Sequence, residues 1–325
     1  MGSDVILSVD MGGTTISAGL VTPEGEIVAQ IEAPTREAGP GNAPATLFSL
    51  ITRLLVQART DGHRVLGIGA GVPGAVDAAG GVVGPDVPNI PELAGRSLAA
   101  ELRSAASLPA FIDNDVNVLA LAEWRFGASR GANSLVMLAV GTGVGGGIIL
   151  DGRLVRGVSG YGGELGHVPI NFDGRPCFCG GRGCLKTYVS GPDIAAEARQ
   201  RVKGQKDSLL LTLAGGDPPG ITATLVFRAA AEGDQLAAGL VDEVCQALGA
   251  GIAVVVNGLN PEVVLISGGV AQSLKPLEAA ILRWAGRYAF AKALAGTRIT
   301  VVPLDKRASV RGGAALFLYE TERSR

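Results

Sequence analysis

The 325-residue sequence lacks the features that identify membrane proteins, secreted proteins and nucleic-acid-binding proteins. No apolar stretch reaches the roughly 18 residues that span a membrane, and the most apolar region, 247–259, is interrupted by Gly249, Gly251 and Asn257. The N-terminal residues show no basic segment followed by an apolar one, so no signal peptide is indicated. The formal charge of −2 gives no electrostatic attraction to nucleic acid or anionic membrane. We therefore expect a cytoplasmic protein with neither partner.

Cysteine and histidine are scarce, with four and two residues respectively, and this scarcity makes one cluster informative. Four cysteines in a chain of this length do not form a disulfide framework. His167, Cys177, Cys179 and Cys184 nevertheless fall close together, in the spacing H-x9-C-x-C-x4-C. Three thiolates and one imidazole are a closed tetrahedral ligand set, so we predict a structural Zn²⁺ that holds a loop.

No glycine is followed directly by lysine, which excludes a Walker A loop. Glycine itself is abundant, with 49 residues, about twice the usual share of roughly 7%. These glycines lie in short clusters between apolar runs, where they predict tight turns and close backbone approaches to ligands. The length of the chain favours two domains.

A strand–turn–strand–turn–strand pattern opens the chain, with predicted strands at 5–10, 16–21 and 26–31. The same pattern returns at 134–140, 147–150 and 153–155, after predicted helices and strands between the two. The repeat indicates two structurally related halves.

Asp10-Met11-Gly12-Gly13-Thr14-Thr15 joins the first two predicted strands. Its backbone amides and the hydroxyl of Thr14 or Thr15 could hold a phosphate, while Asp10 could orient Mg²⁺ through water. An ordinary hairpin turn explains the two glycines equally well. The preceding aspartate and the paired threonines favour a functional loop.

The run from Gly141 to Gly146 formally satisfies G-x-G-x-x-G. A dinucleotide site requires a helix after these glycines, but residues 147–152 predict a strand and a turn. We interpret the run as a glycine hairpin and a second phosphate clamp.

Asp113-Asn114-Asp115-Val116-Asn117 lies where a predicted strand meets a predicted helix. Asp and Asn favour such positions as helix caps, but a cap needs only one of them. Two carboxylates and two amides within five residues indicate a site that forms hydrogen bonds with the hydroxyl groups of a substrate and removes a proton.

Together these motifs resemble the ROK family of sugar kinases and sugar-responsive repressors over essentially the whole chain. The resemblance also includes 71–74, the Glu164-x-Gly-His167 segment with its cysteine cluster, and Gly268-Gly269. It implies an α/β fold of two ribonuclease-H-like (actin-like ATPase/hexokinase) domains around a central cleft, with a small zinc-stabilised loop. The domains would comprise residues 1–117 with 308–325, and residues 118–307.

The resemblance also implies roles for individual residues. Asp115 would be the general base that takes the proton from a sugar's 6-hydroxyl. The substrate-binding residues would be Gly71, Gly74, Asn89, Asn114, Asp115, Glu164, His167 and Lys186. ATP and Mg²⁺ would be bound by Asp10, Gly12, Gly13, Thr14, Thr15, Thr142, Gly143, Gly268 and Gly269.

Lys186 departs from the family, whose kinases usually carry glutamate here, contacting the sugar near its anomeric end. Glutamate accepts hydrogen bonds, whereas lysine only donates them and carries the opposite charge. Three explanations stay open: a different sugar, weaker binding of the same sugar, or an outward-turned Lys186 replaced by another acceptor.

The resemblance predicts ATP-dependent phosphorylation of a hexose, with glucose first and N-acetylmannosamine or N-acetylglucosamine as the alternative. A homodimer or homotetramer is expected, and polyphosphate stays open as a second phosphoryl donor. A repressor is disfavoured, because only nine residues precede Asp10 where repressors carry a helix-turn-helix. A non-catalytic sugar-binding protein is a further alternative, which the retained motifs disfavour.

Overall fold

The computed structural model describes residues 2–205, 208–303 and 305–323 as alternating strands and helices. The strands are β1 (Asp4–Met11), β2 (Thr15–Val21), β3 (Ile27–Pro34), β4 (Arg64–Val72), β5 (Val76–Asp77), β6 (Val82–Val83), β7 (Ala110–Asn114), β8 (Leu135–Val140), β9 (Val144–Leu150), β10 (Arg153–Leu154), β11 (Val263–Ser267) and β12 (Arg298–Val301). The helices are α1 (Ala43–Thr60), α2 (Leu98–Ala106), α3 (Asp115–Arg125), α4 (Lys186–Val189), α5 (Gly191–Arg201), α6 (Leu209–Leu213), α7 (Ala223–Ala231), α8 (Gln235–Leu259), α9 (Ala271–Leu274), α10 (Glu278–Tyr288), α11 (Ala291–Gly296) and α12 (Lys306–Arg323).

The chain forms two compact units. The first comprises residues 1–132, 147–163 and 305–325, and the second comprises residues 133–146 and 164–304. This grouping differs from the predicted division after residue 117, because α3 packs on β4 and α12 and thus belongs to the first unit. The segment 147–163 also returns to the first unit.

Each half of the chain contributes a five-stranded sheet with the same strand order. The orders are β3-β2-β1-β4-β7 and β10-β9-β8-β11-β12, which confirms the predicted internal repeat. β1, β4 and β7 are parallel neighbours, as are β8, β11 and β12. Parallel strands end at the same edge of a sheet, so each half brings several loops together there.

Alternation along β1 divides the core of the first unit into two layers. Val5, Leu7 and Val9 pack in the cluster that includes α1, whereas Ile6 packs with the α12 residues Val310 and Phe317. α12 approaches β4 so closely that a Cβ placed on Gly69 would lie 1.9 Å from the carbonyl oxygen of Gly313. Glycine at this crossing is therefore what allows the C-terminal helix to cover the sheet.

Contrary to the expectation from the sequence, α8 is long and apolar enough, by length and composition alone, to cross a membrane. The most apolar 18-residue stretch of this helix is 67% buried within the protein. α7 and α10 pack against α8, so the helix has the surroundings of a core helix.

Candidate active site and metal centre

The predicted phosphate loop is a tight turn between β1 and β2. The Gly12 N–H donates to the Thr15 carbonyl oxygen at 2.9 Å, and the Thr35 hydroxyl donates to the Gly12 carbonyl at 2.6 Å. A Cβ on Gly13 would lie 3.0 Å from the Asn89 Cβ, so Asn89 borders this loop. Thr35 thus holds the turn from outside, and a side chain at Gly13 would press on Asn89.

The strand register places the predicted carboxylates at one edge of the first sheet. Asp10 on β1 pairs with Gly71 on β4, and Gly71 pairs with Asp113 on β7. Burial raises the pKa of Asp10, and a hydrogen bond with Ser309 opposes that rise. The loops that follow β1, β4 and β7 therefore present their groups side by side.

Asn114 and Asp115 form the junction between β7 and α3. Asn114 is the N-cap, and its Oδ1 accepts the N–H groups of Val116 at 3.0 Å and Asn117 at 3.3 Å. Its Nδ2 donates to the carbonyl oxygen of Gly74 at 3.0 Å, which ties this junction to the loop after β4. Asp115 is the first residue of α3, where the helix dipole favours a carboxylate.

The side chains of Asp113 and Asn117 are not available for hydrogen bonds to substrate hydroxyl groups, so that part of the prediction is wrong. The Asp113 side chain is 1% exposed and accepts the Arg156 Nε at 2.6 Å and the Asn117 Nδ2 at 2.9 Å. Burial raises the pKa of Asp113, and the Arg156 guanidinium opposes that rise. The buried carboxylate is already occupied by partners within the first unit.

In the second unit, the glycine turn is shorter than predicted and comprises 141–143, because β9 begins at Val144. A strand follows these glycines, which excludes the dinucleotide-binding interpretation. A Cβ on Gly141 would lie 3.7 Å from the Gly269 backbone nitrogen, and Gly268 adopts a φ of 103° beside Val140. The structure therefore brings the Thr142–Gly143 turn and the Gly268–Gly269 turn together at the ends of β8 and β11.

The four predicted zinc ligands converge within the second unit. One ligand atom from each of His167, Cys177, Cys179 and Cys184 lies within 4.8 Å of the other three. The Cys179 and Cys184 sulfurs are 3.7 Å apart, and the His167 Nδ1 lies 3.5 Å from the Cys177 sulfur. Zn–S bonds of about 2.3 Å and a Zn–N bond of about 2.0 Å give tetrahedral edges of roughly 3.5 to 3.8 Å.

The cluster therefore fits zinc and does not fit a disulfide, whose sulfurs would be about 2.05 Å apart. Burial, together with the neighbouring thiols Cys177 and Cys179, raises the pKa of Cys184 to about 12. A cation would stabilise the Cys184 thiolate that this environment disfavours. Because all four positions are occupied by protein groups, the metal would hold the loop 167–184 and activate no water.

Comparison with known proteins agrees with this geometry. The sequence profile of the ROK family matches residues 6–320. This chain belongs to the ROK family. The glucokinase of Thermotoga maritima is 33% identical over 312 residues, which cover 96% of each chain. The glucokinase of Halalkalibacterium halodurans is 36% identical over 322 residues, covering 95% of this chain and 94% of the relative.

A ROK glucokinase from Streptomyces griseus, solved with glucose and AMPPNP, superimposes with a TM-score of 0.76. It is 31% identical and covers 96% of this chain and 98% of its own. ROK relatives also include a xylose repressor of Caldicellulosiruptor bescii, of whose length this chain covers 68%. The two-domain, actin-like ATPase fold expected from the sequence is confirmed, and the chain is a sugar kinase of the ROK family.

Lys186, the departure from the ROK pattern, is held in place by two neighbours. Its ammonium donates to Asp193 Oδ2 at 2.8 Å and lies 4.9 Å from the ring centroid of Phe178. The Phe178 ring also meets the His167 imidazole edge-on at 5.2 Å. With 15% of its side chain exposed, Lys186 is packed against the zinc loop, which argues against a fully outward-turned residue.

Glu164 precedes the short 3-10 helix Leu165–His167 and is exposed. The His167 N–H donates to the Glu164 carbonyl oxygen at 3.0 Å, so the two ROK sugar-site candidates share one turn. His167 directs Nδ1 toward Cys177. Its Nε2 is then on the side of the ring that faces away from the metal cluster.

Two partners of these ROK residues were missed in the sequence. Arg156 pairs with Asp113 from 43 positions away, and Asp193 pairs with Lys186 from seven positions away. Arg156 carries no local motif, so no signal in the sequence pointed to it. Asp193 lies in the first turn of α5, a position where a carboxylate is common for helix stability alone.

Proposed function

We propose that this ROK sugar kinase transfers the γ-phosphoryl group of ATP to the 6-hydroxyl of a hexose, with glucose as the first candidate and the cytoplasm as its compartment. The observation that carries the proposal is the shared edge of the first sheet, where Asp10, the Gly71–Gly74 loop and the Asn114–Asp115 junction are neighbours. A carboxylate that can act as a base and a glycine turn that can bind phosphate suit phosphoryl transfer to an alcohol.

In the proposed reaction Asp115 takes the proton of the 6-hydroxyl while the hydroxyl oxygen bonds to the γ-phosphorus. The bond between that phosphorus and its bridging oxygen breaks, and the electron pair leaves with ADP. The products are the sugar 6-phosphate, ADP and a proton on Asp115. Such a transfer needs in-line positioning and neutralised charge more than covalent chemistry.

Phosphate binding is proposed for the glycine turns. The amides of Gly12 and Gly13 with Thr14 and Thr15, and the Thr142–Gly143 turn, would hold phosphate oxygens. Gly268 and Gly269 would border the nucleotide. Asp10 would orient Mg²⁺ through water, and the ion would neutralise phosphate charge. The carboxylate of Asp10 and its place two residues before Gly12 suit that role.

The sugar would be bound by polar groups that the fold holds in place and that still have a hydrogen-bond donor or acceptor to offer. Asn114 donates one Nδ2 hydrogen to Gly74 and has a second to donate. The exposed Glu164 carboxylate would accept from ring hydroxyls, and the His167 Nε2 would bind another while Nδ1 serves the metal. Gly74 adopts a φ of 88°, so its backbone can line the pocket without a side chain.

The test is a coupled ADP-release assay with MgATP and a panel of glucose, mannose, fructose, glucosamine, N-acetylglucosamine and N-acetylmannosamine. We expect turnover with glucose that Asp115→Asn reduces by a factor of about 10² to 10⁴, the usual contribution of a general base. The matched control is Asp61→Asn, an exposed carboxylate at the end of α1. Full activity of Asp115→Asn would refute the role of Asp115.

An N-acetylated hexosamine is the second candidate substrate, and the Lys186–Asp193 pair is the observation that favours it. An ammonium donates hydrogen bonds only, and an acetamido carbonyl supplies an acceptor that glucose lacks. Higher kcat/KM with N-acetylmannosamine or N-acetylglucosamine than with glucose would decide for this candidate. If no sugar of the panel is turned over while calorimetry still shows glucose binding, the chain would instead be a non-catalytic sugar-binding protein.

A further inference from the structure

Arg156 lies two residues after the end of β10 and bonds to two carboxylates in the first unit. Its Nε donates to Asp113 Oδ2 at 2.6 Å, and its terminal nitrogen pairs with Glu320 on α12. The guanidinium also lies 5.7 Å from the ring centroid of Tyr319. Arg156 thus connects the C-terminal helix to the end of β7.

The second oxygen of Asp113 reaches the start of α3. Oδ1 accepts the backbone N–H of Asn114 at 2.7 Å and the Asn117 Nδ2 at 2.9 Å. One carboxylate therefore joins the Arg156 guanidinium to the residue that caps α3 and to the first turn of that helix. Asp115 lies between these two attachment points in the chain.

Removal of the guanidinium would leave the Asp113 carboxylate buried without its cation. A buried carboxylate responds by binding a proton or by drawing in water. Either response weakens its hydrogen bonds to Asn114 and Asn117, because a neutral acid is a poorer acceptor than a carboxylate and an entering water competes for the same oxygens. The start of α3 would then lose the brace that sets the direction of Asn114 and Asp115.

We infer that Arg156 is a positioning residue for phosphoryl transfer, acting through Asp113 on the Asn114–Asp115 junction. This inference rests on the proposed role of Asp115. Small misplacement of a reacting group can lower a rate by about 10²-fold, so Arg156 matters for kcat although its described contacts are to Asp113, Glu320 and Tyr319.

The purely structural alternative assigns Arg156 to holding α12 through Glu320. The two partners separate these explanations, because Glu320→Gln removes the negative charge that pairs Arg156 with α12 and leaves the Asp113 contact in place. We therefore compare Arg156→Ala, Arg156→Lys and Glu320→Gln for kcat and KM with the sugar that the wild type phosphorylates best. Amide hydrogen exchange at Val116 and Asn117 is measured in the same variants.

Chemical rescue sharpens the comparison. Arg156 lines an open groove of about 670 Å³ with Val76, Asp77, Glu320 and Arg323, so a small cation can reach the space that Arg156→Ala creates. Ethylguanidinium presents the planar donor pair that Asp113 accepts, whereas ethylammonium carries equal charge without that geometry. We expect rescue of kcat by the first and not by the second.

In Arg156→Ala we expect kcat to fall by roughly 10²-fold with KM nearly unchanged, and amide exchange at Val116 and Asn117 to become faster. In Glu320→Gln we expect kcat, KM and exchange rates close to those of the wild type. Equal losses in Arg156→Ala and Glu320→Gln, or unchanged exchange at α3, would overturn the inference. If the wild type phosphorylates no sugar, the proposed function fails, and hydrogen exchange alone still decides whether Arg156 braces α3. If Arg156→Ala does not fold, Arg156→Lys carries the comparison, with partial loss expected because an ammonium cannot span both carboxylates with the same geometry.

Discussion

Replacement of Cys179 by serine is the sharpest perturbation of the metal centre. Cys179 is exposed, whereas Cys184 is buried, so Cys179→Ser removes a zinc ligand with little loss of packing. Structural zinc sites bind with about 10–16 kcal/mol, which is roughly 2.5–4 kcal/mol for each of four ligands. Since 1.4 kcal/mol is tenfold in affinity, the variant should bind zinc roughly 10² to 10³ times more weakly.

The assay is zinc content after purification, together with thermal unfolding before and after treatment with a chelator. We expect about one zinc per chain in the wild type, a lower unfolding temperature after chelation, and a Cys179→Ser variant that behaves like the chelated protein. Cys245→Ala is the control, because Cys245 is a buried thiol outside the cluster. It should lower stability by cavity formation while it keeps its zinc.

Two results would refute the reasoning. A wild type that binds no zinc although its thiols are reduced would show that the tetrahedral geometry does not select the ion. A Cys179→Ser variant that retains zinc with unchanged affinity would show that Cys179 is not a ligand. Both outcomes are measured without any activity assay, so they stay independent of the proposed kinase reaction.

The remaining predictions concern two side chains proposed for the reaction. Asp10→Asn should abolish turnover yet stabilise the fold at neutral pH, because burial raises the pKa of Asp10 and its negative charge therefore opposes folding. The gain in the free energy of unfolding should vanish below a pH of about 3.9, where the wild-type side chain is protonated in both the folded and the unfolded state. Unfolding curves at several pH values measure this difference. Lys186→Ala should raise KM for the preferred sugar about tenfold, the value of one lost hydrogen bond, with kcat unchanged. A fall in kcat at constant KM would contradict the assignment of Lys186 to sugar binding.

Much of the fold was predictable because its signals are local. The strands at 5–10, 16–21 and 147–150 lie within β1, β2 and β9, since β-rich runs begin or end at glycine turns that the sequence shows directly. β12 (Arg298–Val301) was not predicted. It is a four-residue strand at the edge of the second sheet, whose only described pairing is with β11, and so short a run has no distinctive period.

The metal centre was predicted more completely than the sites around it. Four rare residues within one short segment restrict where their side chains can meet, and the structure confirms that they converge. Asp113 shows the opposite case. Its sequence context is that of a binding residue, but Arg156, 43 positions away, occupies its carboxylate.

The sequence by itself therefore determined the repeat of two related halves, the glycine turns, the cluster of four metal-ligating side chains and the membership of the ROK family. These features depend on rare residues, short spacings or backbone conformations that few residues adopt. Only the tertiary structure decided that Asp113 is buried and paired with Arg156, that Lys186 is paired with Asp193, and that α3 belongs to the first unit. The physical reason is that burial and charge pairing depend on which distant groups the fold brings into contact. A buried charge without a partner is strongly unfavourable, and the local sequence pattern does not show which distant residue supplies that partner.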